Sequence, residues 1–314
     1  MKEKDEFDVN QGHGNHIDCV CEPGTFNDFI SSWIPKSISG GEFIAGTEKP
    51  IKCDIGDGEL KGVSIVFLGI KKNPLRMQMV LAIDEKGEKN MLVSAYPECD
   101  GAEVLVKITK IHEWAAGLEA TIEGEILGEA ARQMAFFDTR YALCKGKYEI
   151  GKTYKFRLAA FAYDAQVLPE KDREFRLEGE DAVKHRKRCG MEQEYEEDGS
   201  PKPVIFRMES MVAYLPKWGP YPDDAEFQSP AFGAVEEIKA FDTTFCKFNV
   251  SIARDEDDVI IPMIARKSLF DAVPETDDPV RGMLWLQGYC AETLEKKQER
   301  YMKWERHEEE LNHG

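Results

Sequence analysis

Val104-Leu105-Val106-Lys107-Ile108-Thr109-Lys110-Ile111, followed by the run from Leu118 to Ile126, decides the fold class of this chain. In the second run Ala120, Ile122, Gly124 and Ile126 fall on one side, and Glu119, Thr121, Glu123 and Glu125 on the other. Successive side chains of a strand point to opposite faces, so this alternation marks a half-buried strand, apolar inward and acidic outward. Val104, Val106 and Ile108 set up the same pattern one run earlier. Gln133 to Phe137 adds a third strand, and after a turn at Gly151-Lys152 the run Tyr154 to Val167 adds a long fourth.

Reading outward toward the N-terminus, Val63 to Ile70, Met77 to Ile83 and Met91 to Tyr96 are short β-type runs. Asn73-Pro74 and Glu85-Lys86-Gly87-Glu88 connect them, which predicts a β-meander. Residues 1–50 are polar and glycine-rich and read as an extended arm. Within it a short helix is expected from Phe26 to Ile34, stopped by Pro35 because proline lacks the backbone N–H that a helix interior needs.

Toward the C-terminus, residues 170–230 form a charged and proline-rich connector. It holds the basic cluster Lys184-His185-Arg186-Lys187-Arg188, an acidic stretch from Glu192 to Asp198, and Pro216, Pro220 and Pro222. Residues 231–290 return to strands: Phe245 to Ala253, Val259 to Ala265 and Val280 to Cys290. Residues 291–314 hold strong helix formers and no proline, with a thin apolar stripe through Leu294, Tyr301, Met302, Trp304 and Leu311, and read as a C-terminal helix.

The two β units superpose at a constant offset of 126 residues, which lays Leu118–Ile126 on Thr244–Ile252 and Leu158–Tyr163 on Leu284–Tyr289. Their strand order approximates that of a five-stranded Greek-key barrel of the oligonucleotide/oligosaccharide-binding (OB) type. The expectation is therefore a mainly β protein. It has an arm at 1–50, a meander plus a first OB-like module at 51–169, the connector at 170–230, a second OB-like module at 231–290, and the helix at 291–314. One large β-sandwich is the alternative.

The chain has 314 residues, 42% of them hydrophobic, which is enough to build cores and excludes wholesale disorder. With 41 Lys+Arg against 59 Asp+Glu the formal charge is −18, which excludes a broadly basic nucleic-acid coat. No apolar stretch follows Met1-Lys2-Glu3-Lys4, and no run approaches the roughly 18–20 apolar residues of a membrane span. A cytoplasmic location with no membrane partner is expected. Eight cysteines spread along the whole length read as reduced, partly buried residues.

Two groups of residues read as candidate sites. If Leu158, Ala160 and Ala162, and likewise Leu284, Leu286 and Gly288, point inward, then Arg157, Phe161 and Tyr163 face outward in one unit. Trp285, Gln287 and Tyr289 then do so in the other. Aromatic and cationic side chains on an open β-face stack the bases of single strands. The alternative is that these rings are packed under other elements. The second group is His13, His16, Cys19 and Cys21, four nitrogen and sulfur ligands within nine residues, as a tetrahedral zinc ion takes. The alternative there is a mobile tail and no cofactor.

No Gly-x-Ser-x-Gly, phosphate-loop or His-Glu-x-x-His motif is present, and the acidic pairs Asp223-Asp224, Asp257-Asp258 and Asp277-Asp278 sit beside turns or prolines. Asp138 is the one acid set within an apolar strand. The reading is a non-enzymatic binding protein, tested first against single-stranded nucleic acid. A protein partner engaged through the acidic surface and C-terminal helix is one alternative, and an enzyme without a local motif is the other.

Overall fold

The computed structural model describes residues 12–14, 16–47, 49–51, 63–72, 74–128, 132–217, 221–254 and 258–291. The expected C-terminal helix lies, apart from Ala291, outside the described residues, as does Cys53. After a single helical turn at Ile17–Cys19 come helix α1 (Phe26–Gly40) and strands β1 (Glu42–Gly46), β2 (Ser64–Lys72), β3 (Leu75–Ile83) and β4 (Asn90–Cys99). These four strands form one antiparallel sheet in chain order. It contains the expected meander, with β1 added at its edge.

Helix α1 runs through Pro35 rather than ending there. Phe29, Trp33 and Ser37 are buried at a spacing of four, so they share one face. Phe29 and Trp33 pack edge-on against Phe241 at ring-centroid distances of 6.1 and 5.3 Å. Burying that apolar stripe outweighs the hydrogen bond that Pro35 removes.

The chain continues as β5 (Ala102–Glu113), β6 (Ala120–Ile126), β7 (Arg132–Asp138), α2 (Tyr141–Cys144) and β8 (Thr153–Val167). In the connector lie β9 (Glu174–Leu177), α3 (Gly179–Arg188), β10 (Val204–Arg207) and β11 (Ala213–Pro216). The basic cluster ends α3, where cations meet the negative end of the helix dipole. Its Arg186 is buried and donates to the carbonyls of Lys202 and Pro203. Strands β12 (Asp224–Pro230), β13 (Phe232–Ala240), β14 (Thr243–Arg254), β15 (Asp258–Arg266) and β16 (Pro279–Cys290) complete the described chain.

Five of these strands close a mixed barrel in the order β16-β7-β6-β5-β8 and back to β16. The β16–β7 pair is parallel and the others are antiparallel. The expectation of two OB-like barrels is corrected here, because one barrel is present and the second unit does not close on itself. The reason lies in the length of the last strand of each unit, 15 residues in β8 and 12 in β16. Each is too long for one small barrel, so each takes two neighbours on one side and the other long strand on its opposite side. Strand β8 meets β5 through Thr153–Leu158 and then runs parallel to β15 at Ala160 and Phe161. Strand β16 meets β12 over Pro279–Trp285 and then β7 at Gln287 and Gly288.

The 126-residue spacing reappears in this register. Strands β7 and β15 start at Arg132 and Asp258, and β8 and β16 at Thr153 and Pro279. Ala160 pairs with Leu286 across the β8–β16 ladder, so residues one spacing apart face each other there. The parallel pairs are reciprocal, since the third strand of each unit lies beside the fourth strand of the other.

Gly282 marks a tight point in that ladder, because a Cβ there would lie 2.0 Å from the carbonyl oxygen of Asp164. Gly282→Ala must push two paired backbones apart, and a loss of about 1–3 kcal/mol in urea unfolding is expected. An unchanged unfolding midpoint would show that the ladder yields there freely.

The four-stranded sheet and the barrel are joined by buried polar contacts. Gln78 Nε2 and the Tyr96 hydroxyl both donate to the Thr139 carbonyl, at 3.0 and 2.5 Å. Glu98 accepts from Arg76 at 2.6 Å and Arg140 at 2.8 Å. Beside them Asp138 accepts from the Arg140 backbone N–H at 2.9 Å and the Tyr148 hydroxyl at 2.7 Å. Among the described residues, no helix is long and apolar enough to cross a membrane.

Candidate functional site

The outer-strand surface expected from alternation is not open. Trp285 and Phe161 are 0% exposed, Gln287 is 1% and Tyr289 is 6%. Leu158 and Leu284 are buried as expected, but so are their flanking neighbours, because both faces of this ladder are covered. One face fills the interior of the sheet system. The other lies under the N-terminal segment and the four-stranded sheet. The His16 ring stacks on Trp285 at 4.2 Å, Gln287 Nε2 donates to the Pro97 carbonyl at 3.1 Å, and the Arg140 guanidinium sits 3.9 Å over the Tyr289 ring. Arg157 is half-exposed and donates to Glu103 at 3.1 Å. Tyr163 lines a cavity.

The N-terminal segment is not an arm lying loose on the surface. Ile17, Cys19 and Val20 are 0% exposed and anchor it across the barrel. His16 takes a left-handed backbone, φ 52°, which turns the chain so that His13 and His16 both point inward. Gly14 lies between them, where a Cβ would come within 2.7 Å of the Tyr221 hydroxyl, so only glycine allows this close approach. The His13 ring stacks on Phe137 at 4.5 Å.

Opposite the two histidines stands Asp223, one residue ahead of β12. Its backbone carbonyl accepts from Leu286 N–H at 3.0 Å, which ties it to β16. Its carboxylate accepts from Trp285 Nε1 at 2.7 Å and from the Thr121 hydroxyl at 3.0 Å, and Thr121 in turn accepts from Trp114 Nε1 at 3.1 Å. His13 Nε2 lies 3.0 Å from Asp223 Oδ1, and His16 Nε2 lies 3.8 Å from Oδ2. His16 Nδ1 engages the Tyr163 hydroxyl.

The electrostatics follow from burial and from these pairings. Burial opposes charge on both His13 and Asp223, but each is the other's main compensation. His13 is held above its ordinary range and Asp223 below its own. Burial, and then the neighbouring His13, push His16 well down, which favours the neutral ring. Burial and the adjacent Asp223 charge push Asp224 up to about 7.

Of the four residues expected to bind zinc, the structure brings His13 and His16 together and joins them to Asp223. Cys19 and Cys21 do not belong to this group, although both are buried. Burial pushes the Cys19 thiol well up, and the Cys21 carbonyl accepts from Arg266. The pair Asp223-Asp224 was read from the sequence as a turn feature. Nothing local distinguishes it from Asp257-Asp258 or Asp277-Asp278, and its role depends on β12 docking against β16.

Beside the triad lies a cavity of about 570 Å³. His16, Tyr163, Tyr221, Asp18, Asp164 and Asp224 line it, with Gly14, Phe26 and Met283, and no lysine or arginine does. Asp224 is 1% exposed; the Tyr163 hydroxyl lies near enough to favour its charged form, and Oδ1 makes no direct hydrogen bond. Its Oδ2 accepts from the Tyr221 backbone N–H at 3.1 Å. Comparison with protein-family models, curated proteins and solved structures found no match for this chain.

Proposed function

We propose that the protein is a small-ligand-binding protein whose cavity beneath the N-terminal segment takes an organic cation of the ammonium type. The observation that carries this reading is Asp224, a buried carboxyl lining the cavity with one oxygen unpartnered. An unpaired acceptor in such a place is costly, and a bound donor would remove the cost. Asp18 and Asp164 add negative charge to the same wall. Tyr163, Tyr221 and Phe26 add ring faces of the kind that hold ammonium groups. An anionic ligand would find no cationic side chain in the lining.

The burial of Phe161, Trp285, Gln287 and Tyr289 removes the open face on which a single-stranded nucleic-acid reading stood. The cavity supports the binding class with a different ligand. Titration calorimetry with methylammonium and with acetate, on the same protein, tests it. Heat of binding is expected for the cation and none for the anion, with a loss of about tenfold or more in affinity for Asp224→Asn. Equal binding of both probes, or an unaffected Asp224→Asn protein, would end the proposal.

A further inference from the structure

Three side chains from two distant parts of the chain bring ligand-type atoms close together between the N-terminal segment and the barrel. His13 Nε2 is 3.0 Å from Asp223 Oδ1 and 3.5 Å from His16 Nε2, and His16 Nε2 is 3.8 Å from Asp223 Oδ2. An ion bound at about 2.1 Å to such ligands sets them about 3.0 Å apart at right angles and about 3.4 Å apart tetrahedrally. The first two separations match; the 3.8 Å contact of His16 runs to the other carboxylate oxygen, so Asp223 would have to turn or bind through both oxygens.

The hydrogen-bond roles at this point depend on whether a proton on His13 or a shared cation joins the three groups. His13 Nδ1 lies 2.8 Å from the Gly14 carbonyl, which can only accept, so Nδ1 carries a hydrogen. In a neutral ring Nε2 is then a bare lone pair, and it faces a carboxylate oxygen, another acceptor. His16 Nε2 lies 3.2 Å from His13 Nδ1 and 3.5 Å from His13 Nε2, while its Nδ1 is held by Tyr163. A proton on His13 joins Nε2 to Asp223 and leaves Nδ1–H shared between the Gly14 carbonyl and His16 Nε2, whereas a divalent cation takes His13 Nε2, His16 Nε2 and the carboxylate as ligands together.

The surroundings are also those of a ligated centre, in which outer groups fix each ligand's orientation. The Gly14 carbonyl holds His13, the Tyr163 hydroxyl holds His16, and Trp285 and Thr121 hold Asp223. We infer that His13, His16 and Asp223 together bind one divalent transition-metal ion of the kind that takes imidazole and carboxylate ligands, such as Zn²⁺ or Fe²⁺. Three protein ligands leave at least one position for water or another molecule. The inference rests on the triad alone and holds whether or not the neighbouring cavity takes an ammonium ligand.

The test uses the full chain, stripped with a chelator and dialysed against Zn²⁺ alone, with metal counted by elemental analysis. Uptake of about one Zn²⁺ per chain is expected, kept in Cys19→Ser/Cys21→Ser and weakened about 100-fold or more in His16→Ala and in Asp223→Asn. Circular dichroism reports whether each variant is folded. Wild-type uptake below roughly a tenth of an equivalent overturns the assignment. So does a folded Asp223→Asn protein that binds as the wild type does, or loss of metal from the cysteine variant.

If the triad variants fail to fold, Co²⁺ in the wild-type chain decides. Visible d–d absorption without a thiolate charge-transfer band, together with quenching of Trp285 fluorescence, is expected. A thiolate band, or no cobalt spectrum at all, overturns the inference. A chain that binds Zn²⁺ but not methylammonium keeps this inference and ends the cavity proposal, and the converse result does the reverse.

Discussion

Trp285→Ala is expected to lower the unfolding free energy by about 3–5 kcal/mol, the range for deleting a large buried aromatic ring. Trp285 is among the largest fully buried side chains and meets two members of the triad, His16 and Asp223. Its ring carries His16 on one face and lies 5.9 Å from both Phe137 and Phe161. Its indole N–H holds Asp223 at 2.7 Å. Truncation leaves a void that a closed sheet collapses into poorly, and it takes a donor from a buried carboxylate. Trp285→Phe fills most of the void without restoring the donor, so it should fall between alanine and wild type. Urea unfolding of the three proteins measures this. An alanine variant within about 1 kcal/mol of wild type would show that the ring is not part of a packed core.

Asp138→Asn is expected to stabilise the protein at alkaline pH and to leave it unchanged in acid. Burial pushes Asp138 up to about 7, against the opposing hydrogen bonds from Tyr148 and the Arg140 backbone. Cys290 and the Arg140 side chain are the other groups that act on it. The folded state therefore keeps a proton that the unfolded chain has already released. Stability from this group is full below about pH 4 and is lost as pH rises toward 7, because the folded state binds more protons in that window. A shift of about three units sets a ceiling near 4 kcal/mol. Asparagine is neutral throughout and can keep both hydrogen bonds, with the Tyr148 hydroxyl becoming the acceptor. The variant's advantage should grow from nothing at about pH 4 to its maximum above about pH 7. Parallel stability curves for the two proteins across that range would contradict the assignment.

The strands were readable wherever one face is wet. In β5 exposed Leu105, Thr109 and Lys110 stand against buried Val104, Val106 and Ile108, and both β5 and β6 lie where the alternation puts them. The second face of β6 is less wet than its acidic residues imply, since Thr121 is buried and Glu123 and Glu125 are half-buried. The same reasoning failed on β8 and β16. There Leu158 to Ala162 and Leu284 to Cys290 are buried without a break, so alternation no longer reports a face. Rings on both sides of a doubly covered strand look, in sequence, like rings on an open one.

The site divided in the same way. His13 and His16 stood out because two histidines three apart on a glycine-bearing segment are few and local. Asp223 comes from a turn 210 residues away and was hidden among other acidic pairs. It becomes a partner only through the pairing of β12 with β16, a long-range event with no local signature. Pro35 is a third case, in which local preference was right about the missing hydrogen bond and tertiary packing decided otherwise.

The closed ring of strands has a consequence for how the chain is made. Strand β16 completes the ring, lies beside β7 and β8, and carries β12, yet it is the last strand described. Until residues 279–290 leave the ribosome, β7 and β8 present bare edges, and the floor beneath His16 lacks its indole. Synthesis from the N-terminus thus leaves the ring open from the emergence of β8 until that of β16. Fragments that stop short of residue 279 would be sticky, unfinished sheets rather than independent halves.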